Sequence, residues 1–291
     1  MKALHRRQRA TWLAAVFFLA AAADAGCGDD PHRAERSAPV IATQPALLDG
    51  IRITVLYDNI PYRTGPVPDW GFSCLVEGAG DPILFDAGGS AEVLTKNLAV
   101  LGIDLAPVDT VFISHAHHDH TGGLEAVLAD RKPRTFFVIR SIGSLLSGKE
   151  KKRAKSVVPV TEPVKVDAAA FSTGRLDSFI ADEQALVIDT DGGLVVIAGC
   201  AHPGIAAMVS RAGEVGGKGI LLAMGGFHLM NASAADIRET IAALQKLGVS
   251  FVAPSHCTGP EARRMFAAAF GAGYIDSGAG RVISGKDLAG R

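Results

Sequence analysis

Four histidines and one aspartate lie within six residues in the middle of the chain, in the order His115-Ala116-His117-His118-Asp119-His120. Imidazole nitrogens bind Zn, Fe and Ni, and a carboxylate adds a charged oxygen ligand. An apolar strand pattern at 110–113 precedes this segment, and Gly122-Gly123 follows it and allows a sharp turn into a helix. A low-complexity histidine tract would lack such flanks, so the spacing H-x-H-x-D-H predicts a metal-binding loop.

The elements that must position this loop form an alternating α/β pattern. Strand patterns occur at 51–57, 72–76, 83–85, 110–113, 136–139, 185–188, 194–197, 220–223 and 251–254, and helical patterns at 90–101, 122–130, 234–247 and from 261. The turn at 191–193 predicts a hairpin. Because no linker separates the two rounds of strands, we expect one domain over 49–291 with two similar halves. Loops around 58–72 and 140–180 are expected to line the substrate pocket, and the basic run at 149–153 is interpreted as a solvated face.

The composition excludes some function classes. The 291 residues carry a formal net charge of -1, whereas a nucleic-acid-binding protein usually has an excess of basic residues. A small-molecule substrate is therefore expected, and no nucleic acid. The four cysteines, at 27, 74, 200 and 257, show no C-x-x-C spacing that would indicate a zinc ribbon or a disulfide framework.

The first 27 residues have the pattern of a signal peptide, with a basic start followed by an apolar run at 12–23 and small residues. Two cleavage interpretations remain open. Ordinary cleavage after Ala25 would leave Gly26 first, and a lipoprotein signal would leave a lipidated Cys27 as the membrane anchor; we favour the second. Residues 28–48 are polar and contain proline, as a flexible tether would. The protein is therefore expected in the periplasm or anchored to a bacterial membrane.

Further motifs that could belong to the same metal site occur over most of the chain after the tether. H-x-H-x-D-H followed by T-G-G resembles the metallo-β-lactamase superfamily, and later motifs surround Asp86, His202, His228 and His256. With Gly71-Phe72-Ser73, the combination is similar to one branch, labelled either as dihydropterin–ribofuranosylaminobenzene-phosphate synthases of methanopterin biosynthesis or as metal-dependent hydrolases of β-lactamase superfamily II. The resemblance implies an αββα sandwich, in which two packed mixed β-sheets carry helices on their outer faces.

The resemblance also implies two divalent metal ions, zinc above all, with iron or manganese as alternatives. The first would be held by His115, His117 and His202, and the second by Asp119, His120 and His256. Asp119 would in addition be catalytic, orienting the nucleophile or moving its proton. Asp86 would hold the outer nitrogen of a ligand imidazole.

Four further residues leave alternatives open. His228 stands where many members of the superfamily have an aspartate that bridges the metals, so we expect it to bind one metal or to contact substrate, with a weaker second site. His118 is expected to be an exposed loop histidine or a substrate contact. Cys200 and Cys257 are expected to pack as small apolar residues, with a thiolate ligand or a mutual disulfide as alternatives.

The function implied by the resemblance is a metal-dependent hydrolase that uses a metal-bound hydroxide on an ester, lactone or phosphoester. A transferase like the dihydropterin–ribofuranosylaminobenzene-phosphate synthase is the alternative. Export argues against it, because folate-like cofactors are made in the cytoplasm. A non-catalytic metal-binding protein is the third hypothesis. The sequence gives no indication of the oligomeric state.

Overall fold

Two β-sheets pack face to face in the computed structural model, which describes residues 40–130, 132–140 and 152–289. The predicted signal peptide at 1–27, with its anchor Cys27, and most of the predicted tether lie outside these ranges, as do residues 149–151 of the basic run. None of the helices in the described ranges combines the length and the apolar character needed to cross a membrane.

The first sheet has seven strands and carries the histidine motif. In chain order they are β1 (Arg52–Asp58), β2 (Phe72–Glu77), β3 (Ile83–Phe85), β4 (Thr110–Ile113), β5 (Arg134–Ile139), β6 (Ala154–Val160) and the last strand of the chain, β13 (Val282–Ser284). Their spatial order is β13-β1-β2-β3-β4-β5-β6. The pairs from β3 to β6 are parallel, and the others are antiparallel.

The second sheet has six strands: β7 (Val164–Asp167), β8 (Ala170–Ser172), β9 (Leu186–Thr190), β10 (Gly193–Ala198), β11 (Ile220–Gly226) and β12 (Phe251–Ser255). Their order is β12-β11-β10-β9-β8-β7. β9 and β10 form the predicted hairpin, and β10, β11 and β12 are parallel. The carboxyl ends of these three parallel strands therefore meet at one edge, where ligands can converge.

Helices cover both outer faces of the sheets. They are α1 (Ala91–Leu101), α2 (His118–Thr121), α3 (Leu124–Val127), α4 (Ile205–Gly216), α5 (Ala234–Lys246), α6 (Pro260–Phe270) and α7 (Gly285–Leu288). Ser90 caps α1, because its side chain accepts a hydrogen bond from Val93 N.

Alternation along the strands explains the layering. Phe112 of β4 and Ile197 of β10 both point into the core between the sheets. Their neighbours Val111 and Val196 point outward, each under the helices of its own sheet. Successive side chains of a strand face opposite sides, so apolar residues at every position require two covered faces. The predicted αββα sandwich is confirmed.

Several elements differ from the sequence prediction. The helix predicted over 122–130 is shorter, since α3 covers only Leu124–Val127, and a separate short helix, α2, ends before Gly122 and Gly123. A Cβ at Gly123 would collide with Ala87 O, so the chain turns there against the end of β3. The sequence prediction also lacks the edge strands β6, β7 and β13, the inner strand β8 and the helices α4 and α7.

The predicted tether is too long at its carboxyl end. Ile41 N donates to Val215 O at 2.9 Å, and Ala46 N donates to Asp189 O at 2.9 Å. Ala46 also forms an isolated bridge with Thr190. Residues 41–48 therefore lie against the second sheet and its helix α4, and the packed part of the chain begins before the predicted boundary at 49, because this segment forms backbone hydrogen bonds with both.

Arg134 fixes both ends of the segment that contains the histidine motif. Its side chain is fully buried, and its guanidinium donates to Leu105 O (2.8 Å), Val108 O (3.0 Å) and Val127 O (2.7 Å). Two of these carbonyls precede β4 and the third is in α3. The side chain also pairs with Asp130.

We expect Arg134→Met to lower the free energy of unfolding by about 3 kcal/mol, because three buried carbonyls would lose their donors. Urea titration followed by circular dichroism measures this change. Arg52→Met is the matched control, since its pair with Glu77 is exposed and such pairs contribute at most about 1 kcal/mol. Equal losses in the two variants would contradict this account of Arg134.

Candidate metal centre

The structure brings three predicted ligands into one group. The ligand atoms of His115, His117 and His202 all lie within 4.8 Å of one another. His115 and His117 follow the carboxyl end of β4, and His202 lies in the turn after β10. The ring centroids of His115 and His202 are 4.7 Å apart, although the two residues come from different sheets. The group matches the first predicted site.

A second group lies beside the first and contains the other three predicted ligands, Asp119, His120 and His256, together with Cys200. His115 and His120 connect the groups, with ring centroids 4.1 Å apart. Asp119 Oδ2 is 3.3 Å from His256 Nε2. Cys200, which was expected to pack as a small apolar residue, is buried and has its Sγ 3.2 Å from His120 Nε2. Cys200 and Cys257 are both free, so the alternative of a mutual disulfide is not what the structure has.

Asp86 holds the outer nitrogen of His120, which is the role the sequence analysis gave it. Asp86 Oδ2 is 2.7 Å from His120 Nδ1, and the carboxylate also accepts from the Ser114 backbone N–H and hydroxyl, each at 2.7 Å. Burial raises the pKa of Asp86 to about 8 and lowers the pKa of His120 to about 3. Because Asp86 holds Nδ1, the inner nitrogen of His120, Nε2, faces the other members of the second group.

Glu183 holds the outer nitrogen of His202 in the same way, and the sequence prediction did not include it. Its Oε1 accepts from the backbone N–H groups of Gly199, Cys200 and Ala201 at 2.9–3.0 Å. Its Oε2 accepts from His202 N and lies 2.9 Å from His202 Nδ1. Burial acts to raise the pKa of Glu183, but neighbouring His115 and the hydrogen bonds outweigh it and hold the pKa well below its ordinary value. No local pattern marks Glu183 in the sequence, because the turn that it holds begins sixteen residues later in the chain.

Two buried ring nitrogens test whether these residues fit a metal. Among the described residues, His115 Nε2 and His256 Nε2 have no hydrogen-bond partner. Their other nitrogens are engaged, His115 Nδ1 by Ser114 Oγ at 2.9 Å and His256 Nδ1 by Asn59 Oδ1 at 2.8 Å. An unpaired buried polar atom is costly, and a cation at Nε2 would remove that cost. The donor set of nitrogen, carboxylate oxygen and sulfur suits zinc.

The two remaining predicted residues lie at the periphery. His118 is exposed at the start of α2 and belongs to neither group. His228 is also exposed, but its ligand atom lies within 4.8 Å of those of Cys200 and His202. Its ring centroid is 4.6 Å from that of His202. His228 is thus placed beside the centre, where either predicted role, ligand or substrate contact, is compatible with its position.

Comparison with known proteins gives concordant matches. The family model described as the metallo-beta-lactamase superfamily matches residues 69–215. The 7,8-dihydropterin-6-methyl-4-(beta-D-ribofuranosyl)-aminobenzene-5'-phosphate synthase of Methanocaldococcus jannaschii is 28% identical, covering 81% of this chain and 97% of that relative.

Solved structures match the chain over a similar length and have the same fold. Tm1679, a metal-dependent hydrolase of the beta-lactamase superfamily, aligns with a TM-score of 0.69 and 29% identity, over 80% of this chain and 98% of that one. YhfI from Bacillus subtilis, a metallo-beta-lactamase fold protein, shares the fold at a TM-score of 0.58 and 16% identity, over 81% of this chain and all of that chain.

We expect Glu183→Gln to weaken zinc binding about 10–100-fold, because the carboxylate that orients His202 and its turn is replaced by a neutral amide. Competition with a chromophoric chelator measures the affinity, and circular dichroism checks the fold. Glu162→Gln is the matched control, since Glu162 is exposed in the turn before β7. Unchanged zinc affinity in a folded Glu183→Gln protein would show that Glu183 is only a structural residue.

Proposed function

The chain belongs to the metallo-beta-lactamase superfamily, and from that premise we propose that it is a metal-dependent hydrolase of ester, lactone or phosphoester bonds. The observation that carries the proposal is the pair of adjacent ligand groups, one of three histidines and one of Asp119, His120, Cys200 and His256. Two divalent ions are the cofactors that this pair of groups would take, and the nitrogen, oxygen and sulfur donors suit zinc. Resemblance to a hydrolase of the superfamily supports the proposal.

Divalent ions in such groups lower the pKa of water from about 15.7 toward about 7 and stabilise negative charge on the substrate. The protein's own contribution is orientation. Asp86 and Glu183 fix the His120 and His202 rings from behind, so neither imidazole has to reorganise when charge develops. Both carboxylates are fully buried, which keeps bulk water away from these supporting hydrogen bonds.

Asp119 is the residue suited to hold or move a proton. Burial acts to raise its pKa, but the adjacent imidazoles of His256 and His120 outweigh burial and hold the pKa well below its ordinary value. The carboxylate is therefore ionised at neutral pH. Its side chain keeps 19% of its surface exposed, so unlike Asp86 it remains accessible to a substrate.

Exposed apolar side chains lie near two of the ligands, His256 and His202, and indicate that the substrate has an apolar group. The Trp70 ring lies 4.9 Å from the His256 ring and is 47% exposed. Phe179 and Ile180 are exposed beside Ser178, whose hydroxyl donates to His202 O at 3.1 Å. Both segments lie in loops predicted to line the pocket. Exposed aromatic residues beside a polar centre are typical of small-molecule sites.

A synthase resembling the Methanocaldococcus jannaschii relative is the second candidate, favoured by the match over 97% of that relative. The predicted signal peptide weighs against a cytoplasmic biosynthetic reaction. A non-catalytic metal-binding protein is the third candidate, and it would use the same two ligand groups without hydrolysing a substrate.

We expect the zinc-loaded protein to hydrolyse one or more members of a panel of aryl phosphodiesters, aryl esters, lactones and β-lactams. Asp119→Asn should lower kcat/KM about 100-fold or more, as loss of a general acid or base does. Asp81→Asn, at an exposed turn, is the matched control and should keep full activity.

Full hydrolysis by the chelated, metal-free protein would contradict the proposal. So would a metal-loaded protein that hydrolyses no member of the panel and instead joins a dihydropterin to a ribofuranosylaminobenzene phosphate. The second result would establish the synthase.

A further inference from the structure

Cys200 is the one sulfur that the structure places inside the described ligand groups. Its Sγ belongs to the group with Asp119, His120 and His256, and also to the group with His202 and His228. In each group the ligand atoms lie within 4.8 Å of one another. The sulfur therefore lies between ligands of the first and the second predicted metal sites.

The backbone around Cys200 holds the sulfur in this position. Cys200 N donates to Glu183 Oε1 at 2.9 Å, and the next residue, Ala201, has a φ of 58°. Gly226 of the neighbouring strand packs closely against this turn, since a Cβ there would lie 3.2 Å from the Cys200 Cα. Cys200 is 3% exposed.

Asp119 is the one carboxylate in the second group. His228 is exposed and is grouped with Cys200 and His202, not with Asp119, His120 and His256. In the second group the buried Nε2 of His256 has no hydrogen-bond partner among the described residues. Asp119, His120 and His256 supply three ligand atoms, and a thiolate would supply the fourth of a tetrahedral zinc site.

We propose that Cys200 is a thiolate ligand of the second metal site, where it completes a set of four ligands. The site is then Asp119, His120, Cys200 and His256. On metal binding the thiol loses its proton to solvent and the sulfur forms a bond to the cation, so no oxidant or reductant is required. The proposal rests on the metal-dependent function above. Cys257 belongs to none of the described ligand groups, and its Sγ lies 3.6 Å from Cys200 O.

Zinc-edge X-ray absorption of the reduced, zinc-loaded protein tests this directly, because it needs no activity. We expect a sulfur shell at about 2.3 Å in addition to nitrogen and oxygen. The shell should be absent in Cys200→Ser and retained in Cys257→Ser, the matched control. Cobalt-substituted protein should show a sulfur-to-cobalt charge-transfer band that the Cys200→Ser protein lacks.

A wild-type protein that binds zinc without a sulfur shell would overturn the ligand role of Cys200 and leave the proposed function intact. A shell that Cys257→Ser loses and Cys200→Ser keeps would also overturn it. If the wild-type protein binds no zinc, the proposed function fails as well. If the Cys200→Ser protein does not fold, the wild-type and Cys257→Ser measurements decide: a sulfur shell in both supports Cys200 as the ligand, and its loss in Cys257→Ser overturns the proposal.

Discussion

Glu183 and Gln184 tie the two sheets together at the metal centre. Gln184 N donates to Ser114 O at 3.0 Å, and its side chain donates to Ile113 O at 2.8 Å, where the histidine motif leaves β4. The adjacent Glu183 accepts from four consecutive backbone N–H groups in the turn that carries His202. Burying this charge is costly, and hydrogen bonds to a charged group offset the cost by about 1.5–3 kcal/mol each. Ligands from both halves of the chain are therefore positioned against one fixed reference.

Backbone strain accompanies this arrangement. Asp86, Ala201, His228 and His256 are the non-glycine residues with positive φ in the described chain, at 48–58°, and all four lie in turns at the centre. Such conformations cost of the order of 1–3 kcal/mol each and persist where the surroundings impose them. At Asp86 the hydrogen bonds to Ser114 and His120 impose it. These strained turns lower the stability of the fold, and they point the side chains of the centre inward immediately after the ends of strands.

The sequence indicated those parts that depend on local pattern. The αββα layering follows from apolar strands that need two covered faces, and the two groups of histidines follow from one compact motif and turns after strands. Glu183 could not be found in this way, because its role depends on a turn sixteen residues later that only the fold brings near. Cys200 was predicted to pack as an apolar residue from its residue type alone, whereas its place beside the histidines depends on the close packing of Gly226 from a neighbouring strand. Short edge strands such as β7 have weak patterns, since little of their surface is buried.

The central claim is that two divalent ions occupy the two adjacent ligand groups. Anomalous diffraction at the zinc edge from crystals of the zinc-loaded protein tests it most directly. The account predicts two separate peaks, one among His115, His117 and His202 and the other among Asp119, His120, Cys200 and His256. The absence of zinc from both groups, or a single ion bound elsewhere on the protein, would contradict it.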